Sequence, residues 1–256
     1  MKHHSSDRRF PIIHPCLDDD HITRLWMAGG LLMIAFAVIT IPAAISDSRL
    51  LDGVNVWFKP IKFSASLALH FITLAILAQQ LPRQYRAGII MSIAGYAAIA
   101  AMLFEQIYIT VQAARGRRSH FNFDTELESL LYAAMGIGAL LLVLVAFVLG
   151  IMIWLKAEKT NTGFRLGSIL GLILGSTLTL AVAGYMSSSS GHWVGQATSD
   201  ASGFPVFGWS REVGDLRVSH FFATHLIQIL PLLGLAMDRL NWHPRPTVWV
   251  AAIVQT

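Results

Sequence analysis

The run LLYAAMGIGALLLVLVAFVLGIMIWL, from Leu130 to Leu155, holds 26 residues without one charged side chain. As a helix rising 1.5 Å per residue it is about 39 Å long, more than the ~30 Å of hydrocarbon in a bilayer. A soluble helix of this length keeps a polar face for water, and this run has none. Lipid is the solvent that fits it.

Five more runs of spanning length flank it: Trp26 to Ile45, Pro60 to Leu81, Ala87 to Ala114, Phe164 to Met186 and Val218 to Met237. Asp20 or Thr23 is placed to cap the first, and Pro42 to bend it near its end. Pro60 takes a first-turn position, where its missing N–H is no loss. Composition agrees, with 54% hydrophobic and 13% charged residues, against about a quarter charged in soluble domains. The sequence therefore predicts an all-α polytopic transmembrane helical bundle of six spans. A polar tail occupies residues 1–24, and the bundle, with a long loop at 187–217, occupies residues 25–256. After the sixth span, the turn His243-Pro244-Arg245-Pro246 leads into the apolar stretch Thr247 to Ala252. About ten residues at 1.5 Å each cover half a bilayer, which reads as a partial or truncated seventh span.

The formal net charge is +4. Lys and Arg gather in interhelical loops and form no continuous basic surface, so the expected partner is the lipid bilayer and no nucleic acid. With the N-terminus inside, the inner segments hold eleven of the nineteen Lys and Arg and the outer ones eight. That bias predicts a cytoplasmic N-terminus in a bacterial inner membrane. The long loop then lies outside. Its serines and glycines alone would make a linker, but Trp193, Phe204, Phe207 and Trp209 point to a loop folded onto the membrane surface or over the bundle. Cys16 is the only cysteine, so there is no intrachain disulfide and no cysteine-based zinc or haem-attachment motif. A phosphate-binding Gly-rich loop with its lysine, a Gly-x-Ser-x-Gly elbow and a His-Glu-x-x-His helix are also missing. That disfavours an ATP-driven motor and the common hydrolases.

Polar side chains recur at helical spacing within the spans. Lys59, Lys62, Ser66, His70 and Thr73 share one face of the second span. Lys62 can snorkel to the interface, whereas His70 lies about ten residues, roughly 15 Å, into the helix. An ionisable group at that depth marks a functional site by default, the bland alternative being a neutral histidine bonded to a neighbouring helix. Glu105, Tyr108 and Gln112 share a face of the third span, and Glu105 requires a cation such as Lys62 or Arg117, or a raised pKa. In the sixth span His220, Thr224 and Gln228 share a face, while His225 projects away from His220, so the two histidines do not ligate one metal from a straight helix. Asp215 and Arg217 precede them as a surface pair. Lys59, Lys62, Glu105, Arg117, His120, His192, Asp215, His220 and His225 all fall toward the outer leaflet, with His70 below them. His70 and Glu105 are expected to share one buried, water-accessible network. The run Asp18-Asp19-Asp20-His21 has a metal-like composition, but at the opposite end, and reads as a solvated helix start.

Gly163, Gly167, Gly171 and Gly175 recur every fourth residue in the fifth span, continued by Thr179 and Ala183. Small residues at this spacing let another helix approach closely inside the bundle. A homo-oligomer through the same face is a further expectation.

The segments Trp57-Phe58-Lys59-Pro60-Ile61-Lys62-Phe63-Ser64, Glu105 to Asn122 and Gly214-Asp215-Leu216-Arg217-Val218-Ser219-His220-Phe221 resemble an uncharacterised family of bacterial multispanning membrane proteins. The resemblance implies membrane location and a helical bundle with a further C-terminal helix, and carries no catalytic role. Two function classes fit the residues. One is a transporter, or small-solute or proton-binding protein, with a His/Glu polar site in the outer half of the bundle. The other is a membrane enzyme or redox protein that binds a metal or haem through the outer histidines. No specific cofactor or metal is legible.

Overall fold

The structure is a computed structural model that describes residues 20–159, 162–189, 191–197, 199–205, 207–242 and 244–255. Most of the expected tail, with Asp18 and Asp19, lies outside them. Asp20 is described: its carboxylate accepts the N–H groups of Ile22 and Thr23, and α1 (His21–Ser46) begins there; it is not solvated as expected but buried, 3.5 Å from the guanidinium of Arg86. The following helices are α2 (Phe58–Ala78), the single turn α3 (Arg83–Arg86), α4 (Ile89–Ala114), α5 (Glu126–Lys156), α6 (Gly163–Ser188), α7 (Leu216–Leu240) and α8 (Pro244–Gln255). Six of these, α1, α2, α4, α5, α6 and α7, are long and apolar enough to cross a membrane. The chain is an all-α polytopic membrane protein.

Local chemistry sets the ends. Thr125 accepts the N–H of Glu128 at 3.2 Å. This cap starts α5 four residues before the uncharged run and takes Glu126 and Glu128 into a first turn where acids suit the helix dipole. Asn241 ends α7 in the left-handed conformation, φ 51°. Its neighbour α8, of 12 residues, packs on α7 and α6 through buried Val248 and Ala252. At 1.5 Å per residue it is about 18 Å long, short of a span.

The glycine repeat lies against α7. A Cβ added to Gly167 would stand 2.1 Å from the carbonyl oxygen of Leu230, and one on Gly171 2.6 Å from that of Leu226. Gly175 meets Ala223 in the same way, and Gly163 meets Gly234. The two backbones are therefore in contact along four turns, which is what small residues permit in lipid. Pro231, inside α7, sits in this seam against Gly167 and Gly171. A second intimate pair is α1 with α2, where Gly30 meets the carbonyl of Ala68. Between the pairs, α5 packs on α4 and α6, and Trp26, Phe71, Met102, Leu149, Ile153 and Leu172 are buried in the shared core. The glycine face is thus occupied within the chain, so a homo-oligomer that used it would have to displace α7.

The loops 47–57, 115–125 and 189–215 meet at one end of the bundle. Residues Leu50–Leu51 and Val54–Asn55 pair as β1 and β2, joined by Asp52-Gly53 with φ of 52° and 85°. This is the Asp-Gly turn favoured in tight hairpins, because both positions need positive φ. Trp193–Val194 (β3) pairs with Gly214–Asp215 (β4) and closes the base of the long loop. The carbonyl of Asp52 accepts from Asp200 N at 2.9 Å and from Ser199 Oγ at 3.2 Å. The loop is therefore folded over the bundle end.

Candidate functional site

At the long-loop end, the polar stripe of α2 stays accessible while its opposite face is buried. Lys59 and Ser66 are exposed, and Lys62, His70 and Thr73 are half-buried. Pro60, Ser64, Leu67, Phe71 and Leu74 form the buried face. The stripe of α7 meets it where Gln228 Nε2 donates to Thr73 Oγ1 at 3.5 Å. Above that point Lys62 donates to the carbonyl of Phe207 at 3.2 Å. Phe207 stacks on Trp209, and both rings touch Phe221 of α7. Of the four aromatics expected to fold this loop down, Phe207 and Trp209 seat it on α7, while Trp193 and Phe204 contact His192 and Arg211 within the loop.

His70 Nε2 lies 3.0 Å from the carbonyl oxygen of Leu142 and donates to it. Glu105 approaches the same helix one turn earlier. It is 1% exposed, and a Cβ on Gly138 would stand 2.7 Å from its Oε1. That oxygen has no hydrogen-bond partner. No hydrogen bond joins His70 to Glu105; the two contact successive turns of α5.

Neither cation expected to serve Glu105 does so. Lys62 turns to the loop, and Arg117 pairs with Glu128 at 2.7 Å and Asp124 at 3.4 Å. The cation whose charge reaches Glu105 is Lys59. Tyr108 and Gln112 belong to the Arg117 cluster: Gln112 Nε2 lies 3.1 Å from Tyr108 Oη, 3.1 Å from the carbonyl of Arg118 and 3.4 Å from Glu128 Oε1. They lock the α4–α5 turn. The sequence does not single out Glu128, which precedes the uncharged run, though Thr125 three residues earlier is a cap signal.

The outer histidines are dispersed. The His120 Nδ1 accepts from Lys59 Nζ at 3.0 Å, and Ser119 Oγ is 3.2 Å away. Burial, with the Lys59 charge beside it, holds this imidazole well below its usual pKa, so it is a neutral acceptor. His225 Nδ1 lies 3.1 Å from Gln228 Oε1 and its ring packs on Phe221, while Nδ1 of His220 is buried without a partner. Thr224 turns to Thr179 of α6 at 3.1 Å. Among the described residues, no three His, Cys, Asp or Glu side chains group closely enough to hold one metal ion.

Arg217 organises the base of the loop. Its guanidinium donates to both oxygens of Asp200 at 2.9 and 2.8 Å, to Asp215, and to the carbonyl of Gly208 at 2.8 Å. His192 Nε2 lies 3.3 Å from Asp200. Burial disfavours the Asp200 anion, but hydrogen bonds from His192 and Arg217 outweigh it and hold the carboxyl at about 2. Asp215 is lowered in the same way by Arg217 and the Ser210 N–H, against its own burial. The surface pair predicted at Asp215 and Arg217 is thus part of a four-residue network that fixes the loop. Beside it a cavity of about 150 Å³ is lined by Val54, Phe58, Lys62, Asp200, Phe204 and Gly208, among others. Compared with known proteins, the chain matches no family model, no curated protein and no solved structure.

Proposed function

We propose that the protein is a transporter, or small-solute or proton-binding membrane protein, whose site is formed by Lys59, Lys62, His70 and Glu105 below the folded long loop. The observation that carries this reading is the state of Glu105. A carboxyl 1% exposed, with one oxygen lacking a donor, is too costly to keep for packing alone. A structural ion pair would set a cation against it at contact distance; here Lys59 acts at longer range from an accessible stripe. Such a carboxyl is suited to exchanging a proton while the lysines meet solvent. We also place the protein in a bacterial inner membrane with residue 20 toward the cytoplasm. Support comes from the Lys and Arg bias and from the length of the folded loop at the other end.

The test is proton flux in liposomes that hold the purified protein and a trapped pH-sensitive dye, with a potential imposed and a panel of small solutes outside. Flux above protein-free vesicles, lost in Glu105→Gln and in His70→Ala, is the expected result. In the double variant the stability losses should add, since each side chain holds a different turn of α5, while the flux losses should not. Flux equal to that of empty vesicles under every solute would overturn the reading.

A further inference from the structure

We propose that Lys59 and Lys62 bind a phosphate-class oxyanion at the long-loop end of α2. This deepens the solute-binding reading above and rests on it for the location of the site.

The argument begins with charge. Among the described residues of this end, five arginines face carboxylates. Arg49 pairs with Asp47, Arg118 with Asp52, Arg115 and Arg117 with Glu128, and Arg217 with Asp200 and Asp215. Arg211 donates to the carbonyl of Ser202 and lies over the ring of Phe204. Lys59 and Lys62 are different. Their ammonium groups are satisfied by neutral acceptors, His120 Nδ1 and the carbonyl of Phe207, and neither lies in an ion pair with a described carboxylate. They stand one turn apart on α2, and the charge of Lys62 acts on Lys59. Two cations one turn apart with no described carboxylate at contact distance repel one another, and a bound anion offsets that repulsion.

Lys62 also borders a cavity, which Lys59 does not line. The cavity beside Lys62, about 150 Å³, has room for roughly five waters at ~30 Å³ each, enough for a compact oxyanion with part of its hydration. Asp200 lines the same cavity, but Arg217 and His192 engage both of its oxygens. Its charge is therefore offset before a ligand arrives. The first turn of α2 has no side-chain cap, so its dipole adds to the lysine charges. Around Lys59 the other charged and titratable groups are His120, Asp52, Glu105 and Arg217.

The chemistry allows two sources, a free anion and a lipid phosphate headgroup. The experiment therefore has two arms on the purified full chain. Thermal unfolding in neutral detergent is measured against inorganic phosphate, and again in nanodiscs with and without phosphatidylglycerol. Phosphate should raise the midpoint in a saturable way, with an affinity at least tenfold weaker in Lys59→Gln/Lys62→Gln. A midpoint raised only by phosphatidylglycerol, and lost in the same variant, would assign the site to lipid. Lys59→Arg/Lys62→Arg should retain binding, and Lys159→Gln, at the opposite end, should bind as the parent does. No response in either arm, or an unchanged response in Lys59→Gln/Lys62→Gln, overturns the proposal. Binding without solute or proton flux would leave the site standing and reject only the transport reading.

Discussion

Gly138 of α5 and Glu105 of α4 are fitted to one another: a Cβ on the glycine would stand 2.7 Å from the carboxyl oxygen Oε1. The glycine makes the room in which the acid is buried. Two turns of α5, at Gly138 and Leu142, thus receive two of the ionisable groups of the proposed site, Glu105 and His70.

Gly138→Ala should therefore displace the carboxyl. The obstructing atom ends a flexible side chain, so stability should fall by only about 1 kcal/mol, the low end of overpacking. The infrared band of the Glu105 carboxyl should shift in the same variant. Gly136, two residues earlier, has nothing within 4 Å of an added Cβ. Gly136→Ala should leave the band in place and stabilise the helix slightly. Matching spectra for the two variants would mean that Glu105 does not occupy this niche.

The α6–α7 seam predicts a larger effect. At Gly167 the obstruction is a backbone oxygen, 2.1 Å from an added Cβ, and backbone cannot turn aside. Gly167→Ala should cost about 3 kcal/mol, at the upper end of overpacking. Gly184→Ala, on the same helix with nothing within 4 Å, should stabilise slightly, as at Gly136. Unfolding midpoints in detergent compare the two. Leu172, fully buried in the core, is no neutral neighbour of the glycines.

The Asp200 network makes loop docking sensitive to acid. The folded pKa, about 2, lies below that of an unfolded aspartate, ~3.9. The stabilisation is therefore complete above about pH 4 and is lost as pH falls toward 2. Asp200→Asn should weaken docking by about 1.5–3 kcal/mol, the range for hydrogen bonds to a charged group. Hydrogen exchange over residues 191–197 and 207–215 reads the effect. The loss of protection in the variant at neutral pH, taken relative to the intrinsic exchange rate at each pH, should match that of the parent at low pH, and unaltered protection would remove Asp200 from the role.

Orientation is open to a direct test in intact cells. In a Cys16→Ser background, Ser189→Cys should react with a membrane-impermeant thiol reagent, and Glu158→Cys should react only after lysis. The reverse pattern would invert the topology.

Run length alone determined the six spans, because a predominantly apolar stretch as long as a bilayer is thick has few other stable fates in water or lipid. Local chemistry also narrowed the cap of α1 to Asp20 or Thr23, of which Asp20 is the one used, and the four-residue glycine period announced a close helix contact. Periodicity shows which residues share a face, but not what that face meets. That α7 fills the glycine groove depends on the return of the chain through a long loop. The partner of Arg117 turned on the same kind of event. Gly116, with φ 65°, ends α4 and directs the chain so that Glu128, eleven residues on, reaches the guanidinium. Glu105 was legible as a costly acid in the bilayer, yet its niche at Gly138 and its distance from any cation came only from the crossing of α4 with α5. Tertiary packing decided the site because burial and electrostatics act through space, between residues that helical spacing cannot bring together.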